Sequence, residues 1–397
     1  MKKILVIIRY FERAIFFYRI KKALEVKNYE FIFIVDHISA YFYLKYYKCN
    51  VYLIKKRCID IKINKNIENT VEYKTGKLNY TQLKDIYVST YFLINKIYKK
   101  ESLDYIFIWN GTSIFDLPVI DFARKYNINT FFFEIANLPG KIFVDKKGTN
   151  ARSDLYNDKR ILETYNIDEK SFIEWKKNYL QKKLCNHIVL QAKKRKYAAL
   201  ISFIDIIYSV CISGIEYDSS FLLERVLSKF YHKKLDIFYD NVDYDKMNYI
   251  FFPLQVSNDS QILIHSDISL RDSVLYAIKE AKEKNLELVI KPHPAEHNQK
   301  IFKEICKLKE KHKFYFINDN TFKLIKYAKK VITINSTVGL EAKICGKEVE
   351  ILGRAFYKDF TEEDLRRYIL GYLVNIDYFS DEKISEEAIK ELEKRMC

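Results

Sequence analysis

Short runs of apolar, β-favouring residues alternate along this chain with longer stretches whose apolar positions recur at helical spacing. The alternation falls into two blocks. In the first, KILVII (3–8), FIFIVD (31–36), YIFIWN (105–110) and TFFFEI (130–135) read as strands buried on both faces, with helices over 10–26 and 81–99 between them. In the second, YIFFPL (249–254), LELVIK (286–291), KFYFIN (313–318), KVITIN (330–335) and EVEIL (348–352) alternate with helices over 269–284, 299–310, 321–329 and 337–345. Strand–helix alternation predicts parallel sheets with helices on both faces. Two such blocks predict an α/β chain of two Rossmann-like domains facing a central cleft. The expected boundaries are an N-terminal domain over 1–154, a charged helical insert over 155–245, a second domain over 246–360 and a helical tail over 361–397.

Composition narrows the functional classes. The chain has 397 residues, 49% of them hydrophobic and 30% charged, enough to bury a sizeable core and too apolar for intrinsic disorder. Lys+Arg minus Asp+Glu is 68 − 52 = +16, which favours an anionic partner. Zinc-finger spacing and RNA-recognition signatures are missing, so nucleic acid is not the expected one. The seven cysteines are scattered and never form a CxxC pair, a pattern of reduced thiols in which neither disulfides nor a metal site is expected. The opening MKKILVIIRYFERA meets Arg9 after too short an apolar run for a secretory signal, so it reads as a first strand and the cytoplasm is the expected compartment. The stretch 197–215 is nearly apolar and follows the basic 193–196, but Asp205 near its middle argues for a buried helix, or for a basic-flanked interfacial element, over a membrane span.

Gly and Pro are scarce, and their placement is informative. Five of nine Gly and four of five Pro fall in four segments, each at the C-terminal end of an expected strand, where open α/β sheets bind ligands. The first, FFFEIANLPGKIFVDKKGTN (131–150), ends an aromatic strand on Glu134 and continues through Asn137 to Asn150. Partial burial would raise the Glu134 pKa and suit it to proton transfer; the alternative is a surface carboxylate at a strand end. The second, PLQVSNDSQI (253–262), presents Gln255, Asp259 and Ser260, with Asp259 either an N-cap or a carboxylate offered to a ligand. The third, IKPHPAEH (290–297), holds Lys291 and His293 around a proline that limits the backbone, an arrangement suited to phosphate or carboxylate. Glu296 and His297 there lack a second pair of metal-ligand spacing. In the fourth, Asn335, Ser336 and Thr337 join a strand to a helix, an anion-binding geometry, and Glu341 lies one turn further along. The alternative there is a helix cap without a ligand. Asp243 and Asp245 precede a strand and do not read as a metal motif.

These four segments together resemble the bacterial capsule polysaccharide synthase family, whose best-understood members transfer Kdo, an eight-carbon acidic sugar, from CMP-Kdo. The resemblance is carried by PLQVSNDSQI, IKPHPAEH and TINSTVGLEAKICGKEVEILGRAFY (333–357), with the Glu134 segment similar to an upstream motif ending in Gly-x-Asn. It implies a GT-B arrangement in which the second domain holds the nucleotide. Carried over by residue, His293 with Lys291, and Ser336 with Thr337, would hold the CMP phosphate, with Gln255, Ser260 and Asn335 beside them and Glu341 toward the ribose or cytosine. Asp259 would be the nucleophile of a retaining transfer and Glu134 would handle the acceptor proton, with Asn137 and Asn150 on the acceptor loop. The implied partners are a CMP-activated sugar donor, a lipid or glycan acceptor and the inner face of the cytoplasmic membrane, with no cofactor or metal. KPHP before a Ser/Thr helix start also occurs in CDP-glycerol-type transferases and some sialyltransferases, and a non-catalytic capsule assembly or export component is the non-enzyme alternative. The chain departs from the family at RYFERAIFFYRI (9–20), in place of a Gly-rich opening, and in the insert over 155–245.

Overall fold

The structure is a computed structural model that describes residues 1–59, 63, 65–185, 198–211 and 237–396. The chain forms two compact units. The first contains Met1–Asp154, the helix Ala198–Cys211 and the residues from Leu373 onward; the second contains the described residues of 155–188 and 230–372.

The first unit is built on a six-stranded sheet of order β3-β2-β1-β4-β5-β6. Its strands are β1 (Lys2–Ile8), β2 (Tyr29–Val35), β3 (Asn50–Leu53), β4 (Tyr105–Trp109), β5 (Asn129–Ile135) and β6 (Ile142–Asp145). All pairings are parallel except β5–β6. The unbroken apolar runs follow from burial on both faces. Ile4, Val6 and Ile8 of β1 face helices Phe11–Glu25, Ile38–Tyr46 and Glu386–Met396, whereas Leu5 and Ile7 face helices Tyr80–Tyr98 and Leu117–Tyr126. Asn79 and Gln82 form a capping box that starts the Tyr80–Tyr98 helix.

The second unit repeats the topology with different residues. Its sheet runs β11-β10-β7-β8-β9, all parallel, from β7 (Tyr249–Pro253), β8 (Glu287–Lys291), β9 (Tyr315–Phe316), β10 (Lys330–Thr333) and β11 (Glu348–Ile351). Helices Leu270–Glu283 and Gln299–His312 cover one face, and helices Thr321–Tyr327 and Thr337–Ile344 the other. Both units are therefore Rossmann-like, as the alternating pattern predicts.

The segments outside the two sheets divide differently from the expected boundaries. Among the described residues of the 155–245 insert, helix Glu169–Leu184 joins the second unit, where Tyr179 and Lys183 reach Glu341. Helix Ala198–Cys211 joins the first, where Asp205 accepts hydrogen bonds from the backbone and hydroxyl of Ser39. The tail splits at Tyr372. Helix Glu362–Arg367 stays with the second unit through the Lys159–Asp364 ion pair, while Val374 bridges Ile142 and lines the edge of β6. An edge strand leaves unpaired backbone groups, and this crossing segment satisfies some of them.

β4 is followed by two residues of positive φ, Asn110 and Gly111. At Gly111, φ is +75° and an added Cβ would lie 2.6 Å from Cε1 of Phe132. Gly111→Ala should therefore destabilise the first unit by on the order of 2–4 kcal/mol, combining left-handed strain with overpacking. A urea unfolding curve with an unchanged midpoint would contradict this.

Candidate active site

In the second sheet, β7 and β10 are neighbours although most of the sheet's sequence separates them. The chain leaves β7 toward one face and β10 toward the other, so their C-terminal ends form the switch point at which open α/β sheets bind ligands. Gln255 and Asn335 lie there, both buried. The Gln255 amide donates to Asn335 Oδ1 at 3.0 Å, and its Oε1 accepts the Asn335 backbone N–H at 3.1 Å. The Asn335 amide donates to the carbonyls of Gln261 and His265. Both residues were expected to touch a donor. Instead they spend their polar groups on each other and on the helix after β7, because adjacent parallel strands bring them together at the same sheet edge.

Above that pair the chain turns into helix Thr337–Ile344. Ser336 is its N-cap: the hydroxyl accepts the Val338 N–H at 3.2 Å, and Tyr357 donates its phenol to the Ser336 carbonyl. Gly339 lets the helix lie against β10, where a Cβ would come 2.8 Å from the Thr333 methyl. Ser336 and Thr337 remain partly accessible at the helix start, where the helix dipole favours an anion.

The loop after β8 supplies the imidazole. His293 accepts the Ala295 N–H at Nδ1, 3.1 Å away, which leaves a neutral ring with its proton on Nε2. Burial holds the His293 pKa below its usual value, opposed by the carboxylates of Asp259 and Glu296. Glu296 is buried and structural. It accepts N–H groups from Ser257, His297 and Asn298, stapling the β7 loop to the β8 loop. Asp259 does cap a helix, with Oδ1 accepting the Gln261 N–H at 2.8 Å, yet it stays exposed, and Ser260 donates to the same oxygen.

Two expected ligand contacts are used internally. Lys291 donates to the Asp319 carbonyl at 2.7 Å and to the Thr321 hydroxyl at 2.9 Å, so its head group turns toward the end of β9. It lies on the same side of β8 as Val289, which packs on the Thr321–Tyr327 face, and burial lowers its pKa. Glu341 is buried, with Oε1 accepting the Tyr179 hydroxyl and the Lys183 ammonium, each at 2.9 Å. The Glu341 contacts are not visible locally, since Tyr179 and Lys183 lie in a helix more than 150 positions upstream.

Glu134, Asn137 and Asn150 belong to the first unit. Glu134, one residue before the end of β5, lies opposite Phe143 and accepts the Asn150 amide at 2.8 Å. Asn150 has a φ of +52°, which aims its side chain back at the strand. Asn137 is half-buried in the turn into β6.

Residue-by-residue reasoning missed a charged cluster where β1 and β4 end, the corresponding position in the first sheet. Arg9 bonds Asp36 at 3.2 Å, Glu72 at 2.7 Å and the Ser113 hydroxyl at 2.8 Å. The Arg13 guanidinium lies 4.9 Å from the Tyr10 ring and 5.1 Å from the Trp109 ring. Beside them burial pushes Asp116 up to about 7, against the lowering influence of Arg13 and Arg9. The signal was the pair of arginines in RYFER directly after a strand.

Residues 108–360 match a family model described as capsule polysaccharide biosynthesis protein. The chain is 34% identical over 119 residues to the capsule polysaccharide export protein KpsS of Escherichia coli, covering 28% of this chain and 31% of that protein. It is 31% identical over 122 residues to the capsule polysaccharide modification protein LipB of Neisseria meningitidis, covering 28% of this chain and 29% of the relative. The matches thus span about a third of the length of these curated relatives. Among solved structures, the chain is similar to the Thermosulfurimonas dismutans KpsC beta Kdo 2,7 transferase, at 18% identity and a TM-score of 0.42, over 81% of this chain and 98% of that one. The beta Kdo 2,4 transferase of the same KpsC aligns at 16% identity and a TM-score of 0.43, over 74% and 88%.

The Asp116 cluster yields a test by pH. An unfolded aspartate ionises near pH 4, whereas the buried one ionises near 7, so between these values the folded state holds a proton that the unfolded state lacks. Stability from this group therefore falls as pH rises from about 4 to 7 and is flat above. Asp116→Asn, which cannot ionise, should gain on wild type by on the order of 2–4 kcal/mol between pH 5 and pH 8 in denaturant titrations. Parallel pH profiles for the two proteins would refute the assignment.

Proposed function

This chain belongs to the capsule polysaccharide biosynthesis protein family, and from that premise we propose that it is a glycosyltransferase of capsule or surface-glycan assembly. Its donor is a CMP-activated acidic sugar, Kdo in the leading reading, and its acceptor a lipid or glycan. The observation that carries the proposal is the switch point at the ends of β7 and β10, tied by Gln255 and Asn335 and bordered by the start of helix Thr337–Ile344.

In the proposed reaction the CMP phosphate sits at Ser336, Thr337 and the helix N-terminus. His293 donates from Nε2 to a phosphate oxygen as charge develops on the leaving CMP. Asp259, oriented by the Gln261 N–H, attacks the anomeric carbon, and the sugar–phosphate bond breaks to release CMP. The acceptor oxygen then displaces the Asp259 ester, giving up its proton to a base and restoring the carboxylate, so that configuration is retained overall. Lys291, Glu341, Gln255 and Asn335 act as positioning residues that hold the loops. The leaving group is a monophosphate, whose charge the imidazole and the helix start are suited to meet without a divalent ion.

Calorimetric titration with CMP, combined with a CMP-Kdo transfer assay, tests this reading. His293→Ala and Ser336→Ala should each weaken CMP binding by about tenfold, as expected on losing one hydrogen bond to a charged group. Asp259→Asn should keep CMP affinity and lose at least about a thousandfold in turnover. Turnover of CDP-glycerol or CMP-sialic acid in place of CMP-Kdo would move the donor assignment to those classes. Asp259→Asn with full activity would remove Asp259 from the chemistry.

The proposed site of action is the inner membrane face. Among the described residues no helix is long and apolar enough to cross a membrane. Helix Ala198–Cys211 instead exposes Leu200, Phe203, Ile204 and Ile207 at helical spacing, and the neighbouring helix Ile38–Tyr46 exposes Phe42 and Tyr46. Such a surface suits insertion at the headgroup boundary of a lipid bilayer; the basic 193–196 lies outside the described residues. Flotation with vesicles containing phosphatidylglycerol should recover the protein, and Phe203→Asp with Ile207→Asp should reduce recovery about tenfold. Equal recovery would place the membrane contact elsewhere.

A further inference from the structure

The first unit contains a cavity of about 650 Å³, within the range of sites that enclose small molecules. Thr130 and Phe132 of β5 and helix Leu117–Tyr126 line it, together with the turn after β6. Arg124, Lys146, Lys147 and Arg152 contribute to the lining, and neither Asp nor Glu does so among the described residues. The positive character is therefore local to this recess and not only the +16 of the whole chain.

The two arginines differ from the ordinary paired surface cation. Arg152 is half-buried and donates to two neutral acceptors, the carbonyls of Gly111 and Asn69, each at 3.1 Å. Burial lowers its pKa and the charge of Arg124 lowers it further, opposed by the Asp116 carboxylate. Arg124 is exposed on the last turn of its helix and has no carboxylate partner among the described residues. Lys147, by contrast, is already paired with Asp154 at 2.5 Å. Two like charges near each other, one of them partly desolvated, with neither bonded to a carboxylate, are relieved by a bound anion. Guanidinium groups match the geometry of carboxylate and phosphate. The amides of Asn69 and Asn127 and the ring of Phe132 complete a lining suited to hydroxyls and a sugar face.

We propose that this cavity is a second ligand site, which binds a hydroxylated anion of sugar size through Arg124 and Arg152. The sugar-like class rests on the transferase reading, where the site would hold the anionic end of the acceptor; the anion requirement rests on the cavity alone. The anionic group is a carboxylate if the ligand is an acidic saccharide and a phosphate if it is a lipid headgroup.

Titration of the full chain with free Kdo, glycerol 3-phosphate and glucose, without donor or turnover, tests the proposal. At least one of the two anions should bind and glucose should not; which anion binds distinguishes saccharide from headgroup. Arg124→Glu with Lys146→Glu, both exposed, should weaken that binding about tenfold or more. Lys279→Glu with Lys303→Glu, an equal charge change on the second unit, should leave it unaltered. The proposal is overturned if neither anion binds below about 10 mM, if the Arg124/Lys146 variant keeps wild-type affinity, or if both double variants weaken equally. CMP titration of the same variants separates the two readings, since the cavity variants should retain CMP affinity whatever the fate of the anion.

Discussion

The second unit depends on the hydrogen bonds between Gln255 and Asn335. A doubly wound sheet splits where its strand order reverses, because successive helices diverge to opposite faces and leave the strand ends uncovered. At that split an unsatisfied buried amide would cost on the order of 1–3 kcal/mol. Here the two amides satisfy each other, and Asn335 also meets the carbonyls of Gln261 and His265. The pair thereby fixes the loop after β7 relative to the loop after β10. The Glu296 carboxylate performs the equivalent task between the loops after β7 and β8. The positions of Asp259, His293 and Ser336 follow from these two ties, so the buried polar residues of the motifs define the site without needing to reach a ligand.

The corresponding position in the first sheet carries the same topology with different chemistry. There Arg9 meets Asp36, Glu72 and the Ser113 hydroxyl, and Asp116 lies buried beside two arginines. An ion network fills the space that a glycine-rich turn would leave open. Net attraction among buried charges requires good geometry to offset desolvation, and the shared contacts on the Glu72 carboxylate supply it: Oε1 accepts from Arg9 and Ser113 while Oε2 accepts the Ile114 N–H. One fold thus closes one switch point with ions and borders the other with a helix start capped by Ser336.

Much of the fold was legible because the long strands are apolar on both faces. Runs such as KILVII and YIFFPL have no polar position to mislead, and the structure places strands at Lys2–Ile8 and Tyr249–Pro253. Strands β3 and β6 were not legible. NVYL follows an aromatic-rich helix with no change of period, and IFVD lies within what reads as a loop motif. β9 is only two residues long where six were expected, and Ile317 beyond it still donates its N–H to the Ile290 carbonyl of β8.

In the site, local chemistry was legible and long-range pairing was not. The cap at Ser336 follows from Asn-Ser-Thr before an apolar run, and the cap at Asp259 from Asp-Ser before another. Lys291 reads as a phosphate ligand until the alternation of β8 is combined with the position of β9, which turns the ammonium to Asp319 and Thr321. Glu341 reads as a ribose contact until helix Glu169–Leu184 is known to cross it. Both corrections have one cause: a charged side chain beside a sheet edge takes the nearest partner in space, and strand order sets that partner. Sequence spacing identifies which loops share an edge; only the fold decides which of their polar groups remain available to a ligand.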